Sequence, residues 1–247
     1  MSNHKDSKEN KEIFHGKQLA QGNPELIWGW GTPGGQIRAR RRADWITQKA
    51  LLGPGKSIFE IGCGTGFFTE KFALTGAKIM AIDISDDLLA MAKLKKISED
   101  RVRFIAGRFE DCQIEGPFDA IIGSSVLHHL DVKATLIKIR KLLKPGGIMV
   151  FAEPNMLNPI IILQKNIPWL KKRLGDSPDE TAFVRWGLKR LLKSAGFSEI
   201  EIVPRDWLLP MTPLQWIPLV KKVEPSLERI PFIREMAGSL YIKAVSG

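Results

Sequence analysis

Three glycines at alternate positions, Gly62, Gly64 and Gly66, follow a short apolar run, residues 57–61, whose one acid is Glu60. Glycine has no Cβ, so such a turn can be tight and its backbone can lie against a ligand. Phe67 and Phe68 then open an apolar stretch with the look of a helix start. A buried strand, a glycine turn and a helix N-terminus form the first unit of a nucleotide-binding α/β sheet. A second apolar run, residues 78–84, contains Asp83 near its end. It comes about twenty residues after the turn, where such sheets set an acid against ribose hydroxyls. His128 and His129 leave a later apolar run, and Glu153 and Asn155 close another. A histidine beside a reacting hydroxyl can take its proton.

The spacing narrows the ligand. A dinucleotide fold wants G-x-G-x-x-G, but the third glycine position is Phe67, and no Gly-Lys-Ser/Thr follows for a P-loop. The two cysteines, Cys63 and Cys112, lie far apart without a C-x-x-C spacing. They fit two buried thiols in a reducing, cytoplasmic compartment and no metal site.

These residues need a scaffold, and the chain reads as alternating strands and helices. Ser85 caps a helix over residues 86–95 with two acids in its first turn. Strands follow at 102–106, 117–123 and 148–152, with a helix over 132–143 stopped by the KPGG at 144–147. Five such alternations predict a doubly wound parallel sheet. Residues 197–203 and 239–245 alternate as two more strands joined by a long connection, 205–238, which suggests an antiparallel hairpin carrying a cap. Before the core, Ala39, Ala43, Ile46 and Ala50 mark one face of a helix over 36–52, preceded by breakers Pro33, Gly34 and Gly35. Its arginines 38, 41 and 42 read either as a solvated face or as part of a segment closing over the ligand, with Trp28 and Trp30 in an acceptor pocket. Residues 1–24 read as a frayed or disordered N-terminus, and 25–247 as a single domain with a core at 45–153. Substrate-side insertions are expected at about 154–182 and 205–238.

The 247 residues carry a net charge of +10, placed unevenly. Residues 56–153 hold 14 Lys/Arg against 13 Asp/Glu, whereas residues 1–55 hold 9 against 5 and residues 154–247 hold 14 against 9. All seven tryptophans also lie outside 56–153. Basic, aromatic flanks suit an apolar or anionic small acceptor, and stretches such as 167–174 suit peripheral contact with a membrane surface. No apolar run is long enough for a transmembrane helix, and the polar N-terminus has no secretory h-region.

Four stretches in order, FEIGCGTG at 59–66, Asp83, FDAIIGSSVLHHL at 118–130 and KLLKPGG at 141–147, closely resemble the class I S-adenosylmethionine-dependent methyltransferases. The resemblance covers about 45–153 and is closest to small-molecule enzymes of the quinone-biosynthesis and natural-product kind. It implies a Rossmann-like, seven-stranded sheet ending in an antiparallel hairpin. It implies that the turn (Gly62, Cys63, Gly64, Thr65, Gly66) carries the methionine moiety, with Glu60 ordering the loop. Asp83, followed by Ile84, would hold the ribose hydroxyls. Gly107, Arg108 and Phe109 would meet the adenine, and Ser124 and Ser125 would border the reacting methyl. One departure stands out: the family commonly has Gly-Asp after the third strand, and an arginine at 108 cannot accept from the adenine amino group. Glu110, Asp111 or main chain would then serve.

The expected activity is in-line methyl transfer to a small acceptor, lipid-linked or glycan acceptors included, with His129 ranked just ahead of His128 as base. An RNA methyltransferase and a non-catalytic cofactor-binding module are the alternatives, and nucleic acid is not the expected partner.

Overall fold

A computed structural model describes residues 2–173 and 182–247. In chain order its elements are α1 (Ser2–Ala20), α2 (Pro24–Ile27), α3 (Pro33–Lys49), β1 (Ser57–Ile61), α4 (Phe67–Ala73), β2 (Lys78–Asp83), α5 (Asp86–Leu94) and β3 (Val102–Ala106). They continue with β4 (Phe118–Ser124), α6 (Val132–Leu142), β5 (Leu143–Pro154), α7 (Pro159–Asn166), α8 (Pro168–Arg173), α9 (Arg185–Ser194), β6 (Phe197–Arg205), α10 (Ile217–Leu227) and β7 (Ser239–Ser246). The part of the expected 154–182 insertion at 174–181 lies outside the described residues.

The seven strands form one sheet in the order β3-β2-β1-β4-β5-β7-β6. The first five run parallel, and β7 enters antiparallel between β5 and β6. Successive side chains of a strand point to opposite faces. Here both faces are apolar, as expected of a sheet covered on each side. Phe59, Ile121, Met149 and Ile242 face α6 and α9 through Leu136, Ile139, Leu188 and Leu192. Ile58, Ile79, Ile122 and Val150 face α3, α4 and α5 through Ala43, Ile46, Phe72 and Leu89. Strand order reverses between β1 and β4, which opens a crevice at their carboxyl ends, the usual place for a ligand in such sheets. No helix of the described residues is long and apolar enough to cross a membrane.

Two expectations change. Through the stretch expected to be frayed, α1 packs on α5, with Leu19 buried and Gly16 so close that a Cβ there would overlap the Ser85 side chain. This docking needs one glycine and one leucine, too little to make a hydrophobic period. Pro33, Gly34 and Gly35 do not break structure either. They form the first turn of α3, where a proline at N1 is favoured and the Thr32 hydroxyl accepts from Gly35 N–H at 3.0 Å. The glycines are there for contact: a Cβ on Gly35 would overlap the Gly29 carbonyl, and one on Gly34 would crowd the Leu209 carbonyl.

Candidate active site

A cavity of about 1330 Å³ opens along the carboxyl edge of the sheet. That exceeds the usual volume for one small ligand, roughly 300–1,000 Å³, and leaves room for a donor and an acceptor together. Every residue expected on the cofactor side lines it except Glu60 and Gly66.

The glycine turn is built for close approach. Gly62, Gly64 and Gly66 have φ of 70°, 52° and 73°, the left-handed region where a Cβ is penalised. Asp83 Oδ2 accepts from Gly64 N–H at 2.7 Å and Oδ1 from Ser85 N–H at 2.9 Å, so one carboxylate ties the turn to the end of β2. Burial raises the Asp83 pKa, opposed by those two N–H groups and by His129. A carboxylate has about four acceptor sites, so two remain for a vicinal diol. The cradle thus fits a ribose beside a glycine-lined backbone. Glu60 does not join Asp83 in the wall. It stays beside Thr69, and burial pushes its carboxyl up to about 8, with Thr69 opposing and Asp83 adding to the rise. At neutral pH it is mostly an uncharged acid that supports the turn from behind.

At the end of β3, Gly107, Arg108, Phe109 and Glu110 line the cavity. Arg108 bonds Asp111 at 2.7 Å, and its other nitrogen lies 3.9 Å from Glu110. Asp111 is therefore engaged, while Glu110 remains in the wall as an acceptor. Phe109 is 2% exposed and stacks at a tilt on Phe59, so one ring serves both core and wall.

Beyond β4 the backbone is strained. Ser125 is a non-glycine residue at φ 55°, costing roughly 1 kcal/mol. Its N–H donates to Ala152 and its hydroxyl accepts from Arg42 at 3.0 Å. The parallel register of β4 with β5 sets Ser124 opposite Ala152, and so brings Glu153 against the β4 exit. Glu153 Oε1 accepts from Val126 and Leu127 N–H, both at 3.0 Å, and Oε2 lies 2.6 Å from His128 Nδ1. Both side chains are almost fully buried. Burial would raise the Glu153 pKa, but His128 and the two backbone donors outweigh it and the value falls. Glu153 thus fixes the ring through Nδ1, so that in the neutral imidazole with its proton on Nδ1 the opposite nitrogen is the acceptor. His129 stacks beside His128 at 4.2 Å between centroids and meets Glu12 of α1 at 3.3 Å. Both histidines line the cavity. Asn155 does not: its amide holds the Glu235 and Ala237 carbonyls and fixes the 205–238 connection to β5.

Arg38, Arg41 and Arg42 of α3 are not a solvated face, although Arg40 is exposed. Arg42 is 2% exposed and donates to the hydroxyls of Ser124, Ser125 and Ser239 at 2.9, 3.0 and 2.9 Å. Arg38 donates to Ser239 at 3.2 Å, and Trp30 lies against both guanidiniums. Trp28, Trp30, Arg38, Arg42 and Ser239 all line the cavity. The sequence held a signal for Arg42: it falls three residues after Ala39 and four before Ile46, on the apolar face. Ser239 and the partners from 205–238 had none. Among the described residues no cluster of acids, histidines and cysteines could hold a metal ion.

The order of strands and the crevice define a Rossmann-like α/β fold of the methyltransferase type. Residues 59–151 match a family model described as a methyltransferase domain. The malonyl-[acyl-carrier protein] O-methyltransferase of Priestia megaterium is 38% identical over 99 residues, covering 39% of this chain and 36% of that protein. The ubiquinone biosynthesis O-methyltransferase of Dechloromonas aromatica is 32% identical over 144 residues, covering 55% and 61%. The chain thus spans less than two thirds of the length of either relative. The N-methyltransferase NodS of Bradyrhizobium japonicum, solved with S-adenosylhomocysteine, superposes with a TM-score of 0.62 at 16% identity, over 95% of this chain and 97% of that one. At that identity the likeness concerns the fold. Residues 59–151 thus match a methyltransferase domain, set in a fold that the chain shares with solved methyltransferases.

Proposed function

We propose that the protein is a methyltransferase that binds S-adenosylmethionine over β1, β2 and β3 and methylates a small molecule held over β4, β5 and β7. One observation carries this reading: the glycine turn pinned by Asp83 and the His128 ring held by Glu153 line a single cavity. When bound, S-adenosylmethionine supplies a sulfonium methyl, and the carbon–sulfur electron pair leaves with S-adenosylhomocysteine. Asp83 would hold the ribose diol, and the backbone at 62–65 would lie along the methionine moiety. His128, positioned by Glu153, would receive the proton of an acceptor hydroxyl as its oxygen is methylated. The rest of the catalysis is alignment and exclusion of water, to which α1 contributes by lining the cavity with Leu19. The relatives named as O-methyltransferases support an oxygen acceptor. The two unpaired cysteines suit the cytoplasm, where we place the reaction.

The RNA reading keeps only part of its basis: Arg41 pairs with Glu224 at 2.8 Å and Arg42 is buried, while Lys189, Arg190, Lys193, Lys221 and Lys222 of the C-terminal flank stay exposed. Calorimetric titration with S-adenosylmethionine, followed by transfer of a labelled methyl to metabolite extracts, tests the proposal. Binding with label recovered in a small acceptor is expected. A parent protein that gives no heat contradicts it.

A further inference from the structure

The acceptor half of the cavity has a surplus of positive charge built into its wall. Behind it, Arg41 and Arg205 are matched by Glu224 and Glu228: Arg41 meets Glu224 at 2.8 Å, and Arg205 meets Glu228 at 2.6 Å. In front, Arg38 and Arg42 share one carboxylate, Asp206, at 3.6 and 3.7 Å. Those separations allow ion pairing but are too long for hydrogen bonds. Asp206 is fully buried and does not line the cavity, whereas both arginines do. A guanidinium offers five N–H donors. Arg38 makes one side-chain hydrogen bond, to Ser239, and the Nε of both arginines has no acceptor among the described residues. Burial lowers the Arg38 pKa even with Asp206 opposing, so the counter-charge in place does not fully offset desolvation. The cavity's acids, Asp83, Glu110, Asp131 and Glu12, lie toward β2, β3, the β4 exit and α1. Trp30, Leu209, Pro210 and Ile161 line the same cavity with apolar surface.

We infer that the acceptor is an amphipathic oxyanion: an apolar body whose carboxylate or phosphate seats on the open donors of Arg38, beside Arg42 and Ser239. Charge-assisted, forked hydrogen bonds favour such an anion over a neutral group of the same shape. The inference rests on the proposed function for the assignment of this half to the acceptor. The class of reaction that supplies the acceptor is therefore one that leaves a free or phosphorylated acid on an apolar chain or ring.

The test titrates octanoate, octyl phosphate and octan-1-ol into the full chain saturated with S-adenosylhomocysteine, at fixed ionic strength, reading heat and tryptophan fluorescence. At least one anion is expected to bind roughly tenfold or more tightly than the alcohol, and the better anion identifies the source of the oxyanion. Arg38→Gln should remove that preference, Arg38→Lys should keep part of it, and both should retain S-adenosylhomocysteine binding as proof of folding. Arg40→Gln is the control, since Arg40 on the same helix is exposed and lies 4.0 Å from Asp44. Equal binding of alcohol and anions, or an anion preference that survives Arg38→Gln or falls equally with Arg40→Gln, overturns the inference. Failure of S-adenosylhomocysteine to bind the parent instead overturns the proposed function, whatever the anions do.

Discussion

The two halves of the cavity bury charge in opposite senses. Over β1 and β2, the buried Glu60 and the half-buried Asp83 have no lysine or arginine ion pair among the described residues, and both have raised pKa values. Over β4 and β7, Asp206 is buried, yet its pKa falls because Arg38, Arg42 and Arg41, with Ser239, outweigh its desolvation. A buried charge without its partner is costly in either case. One half thus lacks a cation for Asp83, and the other is short of an anion. In the proposed reading, the sulfonium and ammonium groups of the cofactor answer the first deficit and an anionic acceptor the second.

The largest expected effect falls on the arginine side. Asp206→Ala leaves three guanidiniums around an empty position and should cost about 3–5 kcal/mol of folding stability, read by denaturant unfolding. Glu60→Gln, by contrast, should raise rather than lower stability at pH 7, because Glu60 is protonated there in the folded chain and ionised in the unfolded one. Equal losses would break the comparison. Next comes Glu153→Gln, which weakens the orientation of His128. Turnover on an oxygen acceptor should drop about a hundredfold, with its pH profile altered and S-adenosylhomocysteine affinity unchanged. An unaltered profile would make the pair purely structural. Asp83→Ala should weaken cofactor binding by about 2 kcal/mol, measurable by calorimetry.

A further test is a slope. Glu60 titrates near 8 in the folded chain and near the ordinary 4.3 when unfolded. Between those values the native state holds a proton that the unfolded state lacks, so stability declines as pH rises from about 4.3 to about 8 and levels off above. Glu60→Gln should flatten part of that decline, with Asp83 accounting for the remainder. A slope identical to the parent's would place the Glu60 pKa elsewhere.

The halves also differed in what the sequence could reveal. The cofactor side is local: Gly62, Gly64, Gly66 and Asp83 fall within two strands and a turn, and their spacing alone selects the backbone geometry. The parallel sheet follows from the same alternation of apolar runs and caps, and the C-terminal strands from their period of two. The acceptor side is assembled at long range. Arg42 meets Ser239 across 197 residues and Thr32 meets Pro210 across 178, and no local pattern encodes such a pairing. His128 and Glu153 were each readable, but their pairing depends on the register of β4 and β5. Helix α1 escaped notice because its docking uses Gly16 and Leu19 rather than an apolar stripe.

The most direct test is calorimetry of S-adenosylmethionine against the parent, Asp83→Ala and Arg38→Gln. The division of the cavity predicts binding by the parent, strong loss at Asp83→Ala and unchanged affinity at Arg38→Gln. Equal heats for parent and Asp83→Ala, or a loss at Arg38→Gln as large as at Asp83→Ala, would contradict it.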